Sequence, residues 1–137
     1  RDKTRIIKLK EAGSRLDFLG YSFRYERDRY GRAKRYLNLV PSAKACARER
    51  DAIREMVNAR HCYVPIPELI KRVNRQMSGW GAYFNKGRPR GALRRMNWFV
   101  FQRMVLHLRR RSQRPYRPPA GVSWYRHMYK QLGLVQL

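Results

Sequence analysis

Lys71, Arg75 and Lys86 recur at spacings that place them on one side of a helix, and Arg88, Arg90, Arg94 and Arg95 continue the row. Cations arranged in this way can track a phosphate backbone, each contact releasing condensed counterions. Arg is the commoner cation here, and its planar fork donates two parallel hydrogen bonds to a phosphate. Arg109, Arg110, Arg111, Arg114 and Arg117 form a second group. Arginines at a helix C-terminus complement the helix dipole, but five in so short a stretch exceed what capping requires. Other chemistry has little material. After Glu68 there is no Asp or Glu, whereas the last 69 residues carry 16 Lys and Arg. That half has no carboxylate to hold a metal or to act as a general base. Asp2, Asp17 and Asp28 are scattered and do not form the paired set that two-metal phosphoryl transfer needs. Ser42 and Ser78 have no recognisable His partner. Cys46 and Cys62 are too far apart for a paired-cysteine zinc motif, and His61, His107 and His127 lie at no metal-ligand spacing. No catalytic residue, metal or cofactor is expected in this stretch.

A chain of 137 residues with a net charge of +24 and a pI near 11.4 invites the expectation of disorder. The hydrophobic share of 43% and aromatic share of 12% argue instead for a packed core. All nine acids fall in residues 1–68, so that part carries +8 and the remainder +16. A surface so one-sided repels itself unless a polyanion neutralises it, and nucleic acid is the expected partner. For any single Arg a solvated charged face remains the simpler reading; the acid-free set as a whole is what points to phosphate. Two cysteines in so basic a chain predict reduced thiols and a cytoplasmic setting. The most apolar run, Met96 to Leu108, is too short and too polar to span a bilayer, so no membrane partner is expected. No signal peptide opens the chain, which begins with Arg and reads as a piece of something longer.

The elements that must position these residues change character near Pro41. Before it, Thr4–Leu9, Leu16–Tyr25 and Tyr36–Val40 read as strands, with a turn at Asp28–Gly31, so residues 16–40 form a hairpin. Gly20, inside the second run, marks a bulge or the close approach of another backbone. After it, Ser42 is a good N-cap for a helix to about Asn58, with Cys46, Ile53, Met56 and Val57 inward. Pro67 starts a second helix whose apolar stripe is Ile66, Leu69, Ile70, Val73, Met77, Trp80 and Phe84. That stripe assigns Trp80 and Phe84 to the core rather than to base stacking; Tyr83 lies off it and stays open. The loop Lys86–Gly91 lacks the Gly-Lys-Ser/Thr ending of a P-loop. A third helix, about Ala92 to Arg111, is apolar on more than one side, with Trp98 and Phe101 among the residues packed between neighbours. Trp124–Leu132 forms a short terminal helix. The expected fold is mainly α with a small N-terminal β-hairpin and a bundle of three main helices.

Two motifs, taken in order, are similar to those of group II intron reverse transcriptases. Asp2-Lys3-Thr4 followed by Phe18-Leu19-Gly20-Tyr21 resembles the end of the palm in that family. Val73 to Phe84 resembles the Asn-x-x-x-x-Gly-Trp-x-x-Tyr-Phe signature of the maturase-specific, or thumb, domain, carried here by Asn74, Gly79, Trp80, Tyr83 and Phe84. Leu132 to Leu137 looks like the terminal Leu-Gly-Leu of such proteins. The resemblance implies a palm end at residues 1–40 and a helical thumb at 41–137. It implies that Lys3 and Thr4 lie at the palm edge and that Phe18 to Tyr21 form a primer-grip-like element. It implies as partners intron RNA, an RNA/DNA template–primer duplex and the rest of the palm, where the paired-Asp motif and Mg2+ would reside. A stand-alone ribosomal-type RNA-binding protein would account for the charge but not for the ordered motifs; the thumb of a defence-associated reverse transcriptase would account for both.

Overall fold

Ser42 marks the switch from strand to helix. Its backbone is extended and its Oγ accepts the Ala45 N–H at 3.1 Å, so helix α1 runs Ala43–Met56; a Ser cap of this kind contributes about 1 kcal/mol. Helix α2 (Ile66–Tyr83) carries Pro67 in its first turn, where a missing N–H has no intrahelical partner to lose. Helix α3 spans Arg90–Arg109, and α4 (Trp124–Arg126) continues into a π-helical turn, His127–Gln131. The computed structural model describes residues 16–27, 35–87, 89–111 and 116–137. Ahead of the helices stand β1 (Leu16–Phe18), β2 (Tyr21–Arg27) and β3 (Arg35–Pro41), an antiparallel sheet in the order β1-β2-β3. The fold is thus mainly helical with a small N-terminal antiparallel sheet, as expected. The readings for Thr4–Leu9, Asp28–Gly31, Lys3 and Thr4 fall outside the described residues.

Each main helix contributes one stripe to a single core. Ile53 and Val57 come from α1 and its cap, Leu69, Val73 and Met77 from α2, and Met96, Val100, Met104 and Leu108 from α3. Met128 and Leu134 close it from the C-terminal segment. The β-strand reading needs one correction. Leu16–Tyr25 is not one strand with a bulge at Gly20. Leu19 (φ 54°) and Gly20 (φ 85°) both have positive φ and form the two-residue turn between β1 and β2, the geometry that matches hairpin twist. Two further placements differ. Helix α2 ends at Tyr83, so Lys86 lies beyond its C-cap rather than on its face. Trp98 is 57% exposed, because α3 is covered on only part of its girth.

His107 ties α3 to the end of α1. It is buried, its Nδ1 is 2.8 Å from the Val57 carbonyl, and its Nε2 is 3.4 Å from an Arg111 guanidinium nitrogen. The neutral tautomer with Nδ1–H donating to Val57 and Nε2 accepting from Arg111 satisfies both contacts. Burial holds its pKa below the ordinary imidazole value against the raising effect of the Val57 bond, and Arg111 and His61 act with burial. The unfolded chain therefore takes up this proton at higher pH than the folded one. The stabilisation is complete above an unfolded value of about 6.5 and is lost as pH falls through the folded value. Glu49, whose carboxyl is pushed up by burial, acts with the opposite sign. The expected result is that His107→Asn, which keeps an N–H facing Val57, loses less melting temperature than the parent chain between pH 7.5 and 5.5. An identical pH dependence in the two proteins would contradict it.

Candidate nucleic-acid interface

The β1–β2 turn seats on the C-terminal end of α2, and aromatic residues make the joint. The Tyr83 hydroxyl donates to the Leu19 carbonyl at 2.8 Å, and the Tyr21 hydroxyl donates to the Tyr83 carbonyl. Tyr21 lies 5.0 Å from Phe84 by ring centroids and 5.6 Å from Tyr83, while Phe84 meets Trp80 at 4.8 Å. Gly20 allows this approach: a Cβ there would come within 3.2 Å of the Phe84 ring, and its positive φ would strain any L side chain. The space a Cβ would take at Gly20 is thus filled by a ring, and another backbone also approaches this residue, as expected, at its carbonyl. The Gly20 carbonyl accepts the Ser42 N–H at 2.7 Å, so the turn is bound to the start of α1 as well. Beyond α2, Gly87 passes so close to β3 that a Cβ would lie 2.4 Å from the Leu39 carbonyl oxygen.

A second joint holds the C-terminal segment. Asn74 Nδ2 donates to the Gly133 carbonyl at 2.8 Å and its Oδ1 accepts the Val135 N–H at 2.7 Å. Asn97 repeats the device on Leu137, accepting its N–H and donating to its carbonyl, both at 2.9 Å. Each carboxamide does for this segment what a neighbouring strand would do. Gly81 makes room for the Leu137 side chain, since a Cβ there would stand 2.8 Å from it.

These joints leave a groove along one side of α2. Its first part, about 360 Å3, is lined by Met56, Arg72, Arg75, Gln76, Gly79 and Trp80. Its second, about 500 Å3, shares Gln76 and Trp80 and adds Arg48, Glu49, Leu19 and Tyr83 among others. Nothing lies within 4 Å of a Cβ built on Gly79. The chain's own packing therefore does not require this glycine, which costs an exposed helix about 1 kcal/mol relative to Ala. Glu49 is buried at the side of the groove; Gln76 Nε2 donates to its Oε1 at 2.6 Å and its Oε2 has no partner. Burial raises its carboxyl pKa, with the Gln76 bond opposing.

Among the described residues, the remaining acids after Ser42 are paired within the same region: Asp51 with Arg54, Glu55 with Arg60, and Glu68 with Arg72. Lys71, Arg75, Lys86, Arg90, Arg94, Arg95, Arg109, Arg110 and Arg117 are exposed, and no ion pair engages them among the described residues. Arg111 differs, because its guanidinium donates to the Val64 carbonyl at 2.5 Å and serves the fold. Arg88 and Arg114 lie outside the described residues. Of the signature residues expected mainly in the core, only Phe84 is buried. Trp80 and Asn74 are half-buried, while Gly79 and Tyr83 are exposed; Asn74 and Tyr83 are positioned instead by the backbone groups they bind. Phe18 pairs with Tyr21 across the turn, and Leu19 projects at its tip. Arg48 and Arg72 were not marked by the row of cations, since only the groove brings them beside Arg75. Among the described residues no cluster of His, Cys, Asp or Glu could hold a metal ion, and no helix is long and apolar enough to cross a membrane.

Residues 47–131 match the family model for the group II intron maturase-specific domain. The chain belongs to this family. No curated protein and no solved structure matches it. The matched span of the maturase-specific domain runs from the second turn of α1 to the last residue of the π-helical turn. It contains the groove side of α2 and the whole of α3. Membership ties the chain to group II intron maturation, hence to intron RNA and to a reverse transcriptase.

Proposed function

We propose that this chain is the nucleic-acid-gripping thumb of a bacterial group II intron reverse transcriptase, acting in the cytoplasm on intron RNA and on the template–primer duplex. Residues 41–137 are the thumb and residues 1–40 the end of the palm, with Lys3 and Thr4 at its edge. Phe18, Leu19, Gly20 and Tyr21 then face the primer, and the palm's carboxylates and Mg2+ lie outside this segment. The observation that carries the reading is the set of exposed cations on α2 and α3 that no acid of the described chain engages. Such a set binds phosphates with little regard to sequence, which suits an A-form duplex read by shape, 2′-OH and backbone.

The test is a filter-binding titration of the full 137-residue chain against a structured RNA across a series of salt concentrations. Six phosphate contacts would lower affinity by about 10³-fold between 50 and 200 mM salt. Absence of RNA retention even at low salt would end the proposal.

A further inference from the structure

Four aromatic rings form a cluster beside the second joint, where the Tyr125 hydroxyl accepts from Gln136 Nε2 at 3.1 Å. On α3, Trp98 and Phe101 stack with centroids 5.7 Å apart and planes at 23°. Phe101 stacks in turn on Tyr129 at 5.8 Å and 18°, and meets Tyr125 at 5.9 Å. Tyr125 and Tyr129 make an edge contact at 4.8 Å. Phe101 and Tyr129 are half-buried against the core and anchor the cluster. Core packing does not explain the outer members, since Trp98 is 57% exposed and Tyr125 is 51% exposed.

The surroundings decide what such a surface would take. At helical spacing Arg90, Arg94, Trp98 and Phe101 fall on one stripe of α3, and both arginines are exposed. Arg126 and Lys130, also exposed, sit next in sequence to the two tyrosines. No acid occurs anywhere in residues 69–137. A second copy would set like charges against like, and a neutral apolar partner would leave the cations unanswered. A flat base attached to a phosphate meets both requirements, because every base offers a π-face and its backbone supplies the anion. Burial, with Tyr125 acting alongside, pushes the Tyr129 hydroxyl up to about 12, so that ring stays neutral at working pH.

We propose that the ladder of Trp98, Phe101, Tyr125 and Tyr129 is a stacking platform for unpaired nucleotides, with Arg90 and Arg94 holding their phosphates. This deepens the RNA-binding reading and rests on it: the α2 face takes paired backbone, and the ladder takes bases that leave the duplex.

The full chain separates the two ideas with a blunt RNA duplex and the same duplex bearing a five-nucleotide single-stranded overhang. Trp98→Ala and Trp98→Leu weaken binding of the overhang RNA by about tenfold and leave the blunt duplex unchanged, while Trp98→Tyr restores most of the loss. Because Trp98 is largely exposed, melting curves of the three variants should match that of the parent, and they are recorded alongside. An unchanged overhang affinity in Trp98→Ala, or an equal loss on both RNAs, overturns the platform. Full binding by Trp98→Leu also overturns it, because apolar area without stacking would then suffice, as at a protein contact. If the parent chain binds the overhang RNA but not the blunt duplex, the ladder stands and the α2 reading falls.

Discussion

Reversing Lys71 and Arg75 together to Glu lowers affinity for structured RNA by about 100-fold and makes the salt dependence shallower by about two contacts. The estimate takes roughly 1.5 kcal/mol for each charge-assisted bond to phosphate and one released counterion for each contact. The loss is expected on every structured RNA alike, since phosphate contacts position without reading sequence. Stability changes little: both residues are exposed and unpaired with acids among the described residues, and such surface changes stay within about 0.5 kcal/mol. Arg111→Glu is the instructive contrast. Its guanidinium is bound to the Val64 carbonyl, so that change lowers the melting temperature before it alters RNA binding. An unaltered affinity and salt slope in the Lys71/Arg75 double variant would remove α2 from the interface.

Asn74→Ala frees the segment that follows Leu132. The change deletes the donor to the Gly133 carbonyl and the acceptor of the Val135 N–H in one step. Loss of two good bonds, with their backbone partners left half-covered, costs about 2–4 kcal/mol. For a chain of this size that lowers the melting temperature by roughly 10 °C. Hydrogen exchange reads the local consequence directly: the Val135 amide loses protection, whereas amides in the middle of α3 keep theirs until global unfolding. Asn74→Asp keeps an acceptor for Val135 and should lie between. Unchanged protection at Val135 in Asn74→Ala would show that the segment is held by its apolar contacts alone.

Local signals carried the helices well. Ser42 caps α1, Pro67 sits in the first turn of α2, and the Leu69–Val73–Met77 stripe is buried; each depends on neighbours within two turns. What escaped depends on residues far apart in the chain. The Leu19–Gly20 turn looks like the middle of a strand until Phe84 and Ser42 close on it from 64 and 22 residues away. Asn74 reads as a polar residue beside an apolar stripe; only the returning Gly133–Val135 backbone reveals it as a clamp. The pattern puts Trp98 inside because α3 is apolar around most of its girth, and periodicity cannot tell a ring facing a neighbour from one facing water. Glu49 gave no local sign of burial. The cationic row was legible as a composition, but which members line the groove was not: Arg48 and Arg72 join Arg75 there, whereas Arg111 is committed to the fold.

The joint between the β1–β2 turn and α2 has a mechanical consequence. The turn is fastened at Leu19 to Tyr83, at Gly20 to Ser42, and through Tyr21 to the end of α2, while the chain beyond that helix rests on β3 at Gly87. Sheet and helix are thus joined at several residues rather than through a single flexible linker, with Leu19 beside the end of α2 and its cations farther along the helix. If Lys71 and Arg75 take a nucleic-acid backbone as proposed, the same helix that grips it also carries the Leu19 turn through Tyr83 at its end.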